Sequence, residues 1–190
     1  METAKATLAH YIVDAKASRL TVQAFATGIL SAVGHSPTLG IGNFNGDVHF
    51  SSEVLQGSGF HLSVRAASLS VQDDVSDKDR REIERLMNEQ VLEITKYPEI
   101  LYEVPVMLIT KLGDSLYSAA LDGNLTLHGI TCRQQVTARI AVFGTMLRAS
   151  GDFTLKQTDH QIKLISVAGG AIKLKDELKV SFEMVAREQG

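Results

Sequence analysis

The sequence predicts an all-β protein: an antiparallel barrel of about eight strands, with one α-helix packed beside it or capping one end. First, apolar and polar residues alternate with a period of two through most of the 190 residues. Second, a single segment, residues 76–94, has helical spacing instead. Third, no linker or charge run divides the strands, so residues 1–190 are one predicted domain. A closed barrel leaves none of these strands with an unpaired edge.

The first half of the chain contains a strong hairpin signal. Strands are predicted at residues 11–14, 18–26, 39–44, 47–51, 60–65 and 68–71, the last two joined by a bend at Ala66-Ala67. Asn45-Gly46 separates two of these strands. Both central positions of a type I′ turn need a positive φ, which Asn-Gly provides. A hairpin turn is therefore expected at Asn45-Gly46.

The helix has recognisable start and stop signals. Ser76 is the predicted N-cap, and Asp79 stands three residues later in the capping-box position. The apolar face comprises Ile83, Leu86, Met87 and Ile94, and the opposite, charged face comprises Arg80, Arg81, Glu84 and Arg85. We interpret the charged face as solvent-exposed. The helix must end before Tyr97-Pro98, because the residue before a proline avoids the helical conformation.

The second half is predicted to be strands throughout. Ile100, Tyr102, Val104, Val106 and Leu108 form one long alternating row. A turn is expected at residues 112–114, followed by a strand over residues 116–128 with a bulge near Asp122-Gly123. Further strands are predicted at residues 136–142, 147–155, 162–167 and 178–184, with a turn at residues 158–160.

Composition narrows the classes of partner. The net charge is −3, so no excess of Lys and Arg exists to neutralise phosphates, and we expect no nucleic-acid partner. No apolar run is long enough for a membrane span. The first residues contain no apolar signal-peptide core, which predicts a cytoplasmic protein, or a periplasmic one only if a leading segment has been removed.

The titratable residues show no familiar catalytic or metal-binding pattern. The six histidines form neither an HxH nor an HExxH motif. His49 and His61 could face each other on neighbouring strands, but two ligands do not make a metal site. No nucleophile motif, phosphate loop or obvious carboxylate pair is present. We therefore predict no catalytic residues, no metal and no cofactor.

Several segments resemble one protein family. The run Leu125-Thr126-Leu127-His128-Gly129-Ile130-Thr131 resembles the most recognisable motif of the YceI-like family, polyisoprenoid-binding proteins with a lipocalin-like barrel. Other family-like segments follow in matching order: residues 11–14, Gly34-His35, Phe44-Asn45-Gly46, residues 96–100 and residues 176–180. The resemblance implies a single YceI-like domain that binds an amphiphilic lipid with an isoprenoid or quinone-like chain, and that is not an enzyme.

Strand alternation selects the residues that would line the barrel. The inward-facing positions proposed as ligand contacts are Phe50, Phe60, Leu62, Tyr102, Leu125, Leu127, Phe153, Phe182 and Met184. For each residue taken alone, a place in a filled core is the favoured interpretation over ligand contact, since alternation indicates a face and not a cavity. His35 and His128 adjoin glycines, and we interpret them as residues that orient loops, with contact to a lipid head group as the alternative.

Three interpretations of function remain open at this point. The barrel binds, stores or transports a hydrophobic small molecule; it is filled and serves as a stress-response or interaction module; or it is a lipid isomerase or cyclase. An exposed apolar row such as residues 104–108 would also suit a homodimer interface.

Overall fold

The computed structural model describes residues 8–27, 36–53, 55–167 and 172–190. The strands in these ranges are β1 (Ala9–Val13), β2 (Arg19–Thr27), β3 (Thr38–Ile41), β4 (Phe44–Phe50), β5 (Gly59–Arg65), β6 (Leu69–Val71), β7 (Glu99–Val104), β8 (Met107–Lys111), β9 (Leu116–Leu127), β10 (Ile130–Phe143), β11 (Met146–Lys156), β12 (Ser166–Val167) and β13 (Ile172–Glu188). Short 3-10 turns lie at Ala66–Ser68 and Gln157–His160.

Eight strands close into an antiparallel barrel, as the sequence predicts. Their order is β1-β4-β5-β7-β9-β10-β11-β13, and β13 pairs with β1 to complete the ring. Five other strands in the described ranges extend these: β2 continues β1 along β13, β3 precedes β4, β6 follows β5, β8 follows β7 along β9, and the short β12 pairs with the start of β13. Each wall strand thus neighbours the next in the chain, which is an up-and-down barrel.

One end of the barrel carries the helix, and we call it the helix end. Helix α1 (Asp77–Leu86) continues as a π-helical turn over Met87–Val91 and connects β6 to β7. Ser76 caps it as predicted, because its Oγ accepts a hydrogen bond from the Asp79 N–H at 3.1 Å. The 3-10 turn at Gln157–His160 and the turn between β9 and β10 lie at the same end, since the strands they join end there.

The charged face of the helix is not wholly solvent-exposed. Glu84 Oε1 accepts a hydrogen bond from the Val71 N–H at 3.0 Å, and Arg80 donates to the Val71 and Asp73 carbonyls. Both side chains are half-buried. The prediction of a solvated face was wrong for these two residues, because they bind backbone groups of Val71 and Asp73 that lie outside the pairing of β6 with β3.

The hairpin predicted at Asn45-Gly46 was wrong. Strand β4 runs straight through both residues, and they pair with Ser63 and Leu62 of β5. A Cβ atom at Gly46 would lie 2.7 Å from the His61 carbonyl oxygen. Glycine is therefore used there for a close approach of two backbones rather than for a turn.

The prediction of a single alternating row from Ile100 to Leu108 was also wrong beyond Val104. Val104 is buried and so is Met107, whereas Val106 is 62% and Leu108 73% exposed. Pro105 and Val106 separate β7 from β8 and shift the alternation by one residue. Residues 106 and 108 stay available for the predicted homodimer contact, which remains a prediction.

The turns and strands after β8 largely follow the sequence. On its β10 side, β9 has no bulge at Asp122-Gly123, because the two strands pair in one unbroken register. On its other side, the register shifts by one residue at this point, between the pairs Glu103–Asn124 and Met107–Leu121. The β9–β10 turn consists of His128 and Gly129, with φ of 53° and 73°, as a type I′ turn requires. Strand β12 is shorter than the strand predicted over residues 162–167.

Candidate functional site

The barrel encloses a cavity of about 190 Å³. Its lining side chains reach from Val13 and Ala186, where β1 meets β13, to Leu92 and Ile162 at the helix end. Among the residues that the structure describes, the lining is apolar except for the Tyr102 hydroxyl and the Gln157 amide. An engineered apolar cavity of about 150 Å³ stays dry and takes up benzene. The space is therefore suited to hydrocarbon rather than to water.

Eight of the nine predicted interior residues line this cavity: Phe60, Leu62, Tyr102, Leu125, Leu127, Phe153, Phe182 and Met184. Phe50 does not. It is only 1% exposed, but its ring packs edge-on against Tyr117 at 5.4 Å between centroids, away from the lining. Alternation predicts the face correctly, whereas the position of a residue along the barrel axis decides whether it reaches the cavity. Contact of the eight with a ligand remains a prediction.

The Tyr102 ring packs against the backbone of the neighbouring strand at Gly123. A Cβ at Gly123 would lie 2.8 Å from Tyr102 Cε2 and 2.6 Å from the Glu103 carbonyl oxygen. The Tyr102 hydroxyl donates to the Gln134 carbonyl at 3.0 Å. Burial raises the pKa of Tyr102 to about 12. The phenol is thus a neutral, anchored part of the apolar wall at ordinary pH.

Phe182 uses a second glycine in the same way. A Cβ at Gly151 would lie 2.8 Å from Phe182 Cζ and 2.5 Å from the Thr137 carbonyl oxygen. These two glycines let large rings lie flat against neighbouring strands. Side chains at either position would push the rings toward the cavity, so Gly123 and Gly151 preserve its volume.

Gln157 is a lining residue that the sequence analysis missed. It is 3% exposed, and its Nε2 donates to the Lys175 carbonyl at 2.9 Å. The signal for it was present: Leu147, Ala149, Phe153 and Leu155 line the cavity at alternate positions of β11, and residue 157 is next in phase. Its polarity and the following turn concealed that pattern. Gln157 places an amide at the helix end of an otherwise apolar interior.

His128 holds the helix end together. Its Nε2 lies 2.5 Å from Glu93 Oε2, its Nδ1 lies 3.3 Å from the His160 carbonyl, and the Tyr97 ring packs on it at 4.4 Å. The side chain is 11% exposed. This geometry agrees with the interpretation that His128 orients a loop. Contact of His128 with a head group remains a prediction, and His35 lies outside the described residues.

The motifs of the sequence and this barrel coincide with one known family. The model of the YceI-like domain matches residues 11–186. The chain belongs to the YceI-like domain family. No curated protein matches the sequence.

Solved structures with the same fold include other YceI-like proteins, at low sequence identity. A polyisoprenoid binding domain from Saccharophagus degradans, implicated in plant cell wall breakdown, has a TM-score of 0.69 at 16% identity, covering 96% of this chain and 99% of that one. BcnA of Burkholderia cenocepacia has a TM-score of 0.66 at 17% identity, covering 91% and 98%. The Campylobacter jejuni YceI protein has 0.60 at 14% identity, covering 80% and 85%. At these identities the likeness concerns the fold.

The chemistry available inside this YceI-like barrel is that of apolar burial. Among the described lining residues, Tyr102 carries the ionisable group, and its pKa is raised. The helices in the described ranges are too short and too polar to cross a membrane. The site thus combines hydrocarbon contacts along most of the barrel with one amide near its helix end.

Proposed function

We propose that this YceI-like barrel binds a hydrophobic, isoprenoid-like or other amphiphilic lipid and stores or carries it, without chemical conversion. The observation that carries the proposal is the apolar cavity that runs between the two ends of the barrel. The polyisoprenoid binding domain among the similar folds supports the same class of ligand.

Burial of hydrocarbon supplies the affinity. Each buried CH₂ contributes about 0.8 kcal/mol, so about ten methylenes contribute roughly 8 kcal/mol before the cost of ordering a flexible chain is subtracted. Micromolar binding corresponds to about 8 kcal/mol net, so the gross gain from the tail is of the required size, and each further buried methylene offsets part of the ordering cost. The tail therefore needs no specific partner within the barrel.

The head group is placed at the helix end in this proposal. Gln157 is the polar side chain that the described lining offers at this end. Its position is held by the hydrogen bond from its Nε2 to the Lys175 carbonyl. At the opposite end, the lining residues Val13, Leu147 and Ala186 are apolar. A lipid would thus lie with its tail away from the helix.

Extraction of the freshly purified protein with organic solvent, followed by mass spectrometry, tests the proposal. A stoichiometric lipid is expected, and delipidated protein should take up offered polyprenols or quinones. Turnover of the offered lipid, or repeated failure to recover or take up any, would overturn it.

A pair of neighbouring substitutions ties uptake to the cavity. Ala138 lines it and is 4% exposed, whereas Thr137, the preceding residue of β10, faces outward. Ala138→Leu should reduce uptake by about tenfold or more, since it fills space that the lipid needs. Thr137→Leu should leave uptake unchanged. Circular dichroism of both variants verifies that the barrel is intact.

A further inference from the structure

Three histidines and an aspartate meet on the outer wall of the barrel, away from the cavity. His10 of β1 pairs in register with His49 of β4, and their rings stack at 4.6 Å with planes 12° apart. Asp47 lies two residues before His49 and therefore on the same face of β4. His61 of β5 is the register partner of Asp47. Three consecutive strands of the wall thus contribute to one cluster.

The Asp47 carboxylate is the centre of this cluster. Its Oδ2 lies 3.7 Å from His10 Nε2 and 3.7 Å from His49 Nδ1, and its Oδ1 lies 3.6 Å from His61 Nδ1. The potential ligand atoms of His10, Asp47 and His49 all lie within 4.8 Å of one another. Ligands held at about 2.0–2.1 Å around a tetrahedral Zn²⁺ are roughly 3.4 Å apart. Small side-chain rotations would therefore bring these three ligand atoms to that spacing, and His61 lies at the edge of the group, within 3.6 Å of Asp47 Oδ1.

We propose that His10, Asp47 and His49, with His61 as the fourth ligand, bind a divalent transition-metal ion, Zn²⁺ in the first instance. Imidazole nitrogens with one carboxylate suit zinc, copper and nickel, whereas Mg²⁺ and Ca²⁺ prefer sites made of oxygen atoms. The side chains are 33–50% exposed, so an ion can reach them. Glu103, the register partner of His61 on β7, adds a further negative charge beside the site.

The sequence conceals this site because its four ligands come from three strands, β1, β4 and β5. No two of the histidines form a short motif, and the sequence analysis accordingly predicts no metal. The pairing of β1 with β4 brings His10 beside His49, and the pairing of β4 with β5 brings Asp47 beside His61. The two histidines considered in the sequence thus gain two further ligands.

The bound ion would act as a clamp on the closing strand. Strand β1 has five residues and joins β4 to β13. A metal shared by β1, β4 and β5 would fasten β1 to the wall, and an ion that binds only the folded barrel raises its stability. This role is independent of what the cavity holds.

Calorimetric titration of Zn²⁺ into EDTA-treated, tag-free protein tests the proposal. We expect one ion per chain and a melting temperature that rises with Zn²⁺ and falls again with EDTA. His10→Ala and His49→Ala should each weaken Zn²⁺ binding by roughly tenfold or more, because each removes one ligand. Mg²⁺ should not compete.

Asp152→Asn is the matched control. Asp152 is an exposed carboxylate of β11 that lies 3.8 Å from Lys179 Nζ, outside the cluster. Its replacement should leave the zinc affinity unchanged. No binding at 1:1 stoichiometry, or equal affinity in the wild type and both histidine variants, would overturn the proposal. Melting curves without metal establish that each variant is folded.

Discussion

His128 Nε2 and Glu93 Oε2 lie 2.5 Å apart, and both residues have left-handed backbone conformations, with φ of 53° and 44°. His128 belongs to the β9–β10 turn, and Glu93 follows the π-helical turn after α1. Such conformations are costly for residues other than glycine, so surrounding contacts must hold them in place. The pair therefore links the helix to the barrel wall at the point where the helix segment closes the cavity.

Breaking this link should loosen the helix end. His128→Asn keeps a residue that tolerates a positive φ but removes the bond to Glu93. We expect a loss of about 1.5–3 kcal/mol in the free energy of unfolding, as for a hydrogen bond to a charged group. Glu93→Gln should weaken the same bond, and the double variant should lose less than the sum of both.

Denaturant unfolding measures these losses. Glu89→Gln is the control, because Glu89 is 60% exposed and pairs with Arg85 on the helix surface. Exposed pairs contribute little, and this change should cost less than about 0.5 kcal/mol. Strictly additive losses at His128 and Glu93 would mean that the two residues act separately.

Gly123→Ala and Gly151→Ala should both destabilise the barrel and shrink its cavity. Each new Cβ would meet a carbonyl oxygen, at 2.6 Å from Glu103 and 2.5 Å from Thr137 respectively, as well as an aromatic ring. We expect a cost of about 1–3 kcal/mol for each, together with reduced lipid uptake. Denaturant unfolding and uptake of an offered polyprenol provide the two measurements.

Gly113→Ala serves as the comparison for these glycines. A Cβ at Gly113 would make an ordinary contact, 3.8 Å from Leu116 Cβ, and its φ is not positive. Stability and uptake should stay close to the wild type. If all three alanine variants behaved alike, the ring positions of Tyr102 and Phe182 would not depend on the glycines.

Tyr102 should make the protein sensitive to alkali. Burial raises the pKa of Tyr102 from its ordinary value of 10.0 to about 12, so the native state holds its proton where the unfolded state loses it. The stabilising contribution is complete below pH 10 and is lost as the pH rises from about 10 to about 12. Ultraviolet absorbance of tyrosinate should show a late-ionising group that disappears in Tyr102→Phe.

The stability profile supplies an independent check on Tyr102. The wild type should lose more unfolding free energy between pH 10 and 12 than Tyr102→Phe does, because the variant has no group to ionise. At neutral pH the wild type should have the higher free energy of unfolding, since the variant lacks the hydrogen bond to the Gln134 carbonyl. Parallel losses in the two proteins above pH 10 would assign the alkaline sensitivity to other groups.

The barrel and its helix could be predicted because their signals are local. Alternation over β9 to β11 identifies inward faces correctly, and Ser76 caps the helix as its spacing with Asp79 indicates. The type I′ turn at His128-Gly129 carries no common turn sequence, and the strand predicted over residues 116–128 accordingly runs one residue past the observed end of β9 at Leu127. Period and capping depend only on neighbours in the chain.

The parts that failed depend on pairing between distant strands. Asn45-Gly46 has a turn sequence, but the contact of Gly46 with the His61 carbonyl decides its conformation. At Pro105 the alternation of inward and outward residues shifts by one position before Leu108. The size of this shift is set by the pairing of β7 and β8 with β9 and cannot be derived from neighbouring residues. The cluster around Asp47 requires the registers of β1, β4 and β5 together.

Besides closing the cavity, the helix covers the outer backbone groups of Val71 through the side chains of Arg80 and Glu84. Strand β6 ends the row of paired strands, so its outer backbone groups would otherwise be open to another chain. If the proposed lipid enters past the helix, a movement that breaks the contacts of Arg80 and Glu84 would expose the backbone of β6 to pairing with another chain. Loading by way of the helix end would therefore favour brief openings, and an empty barrel held open would be prone to associate through β6.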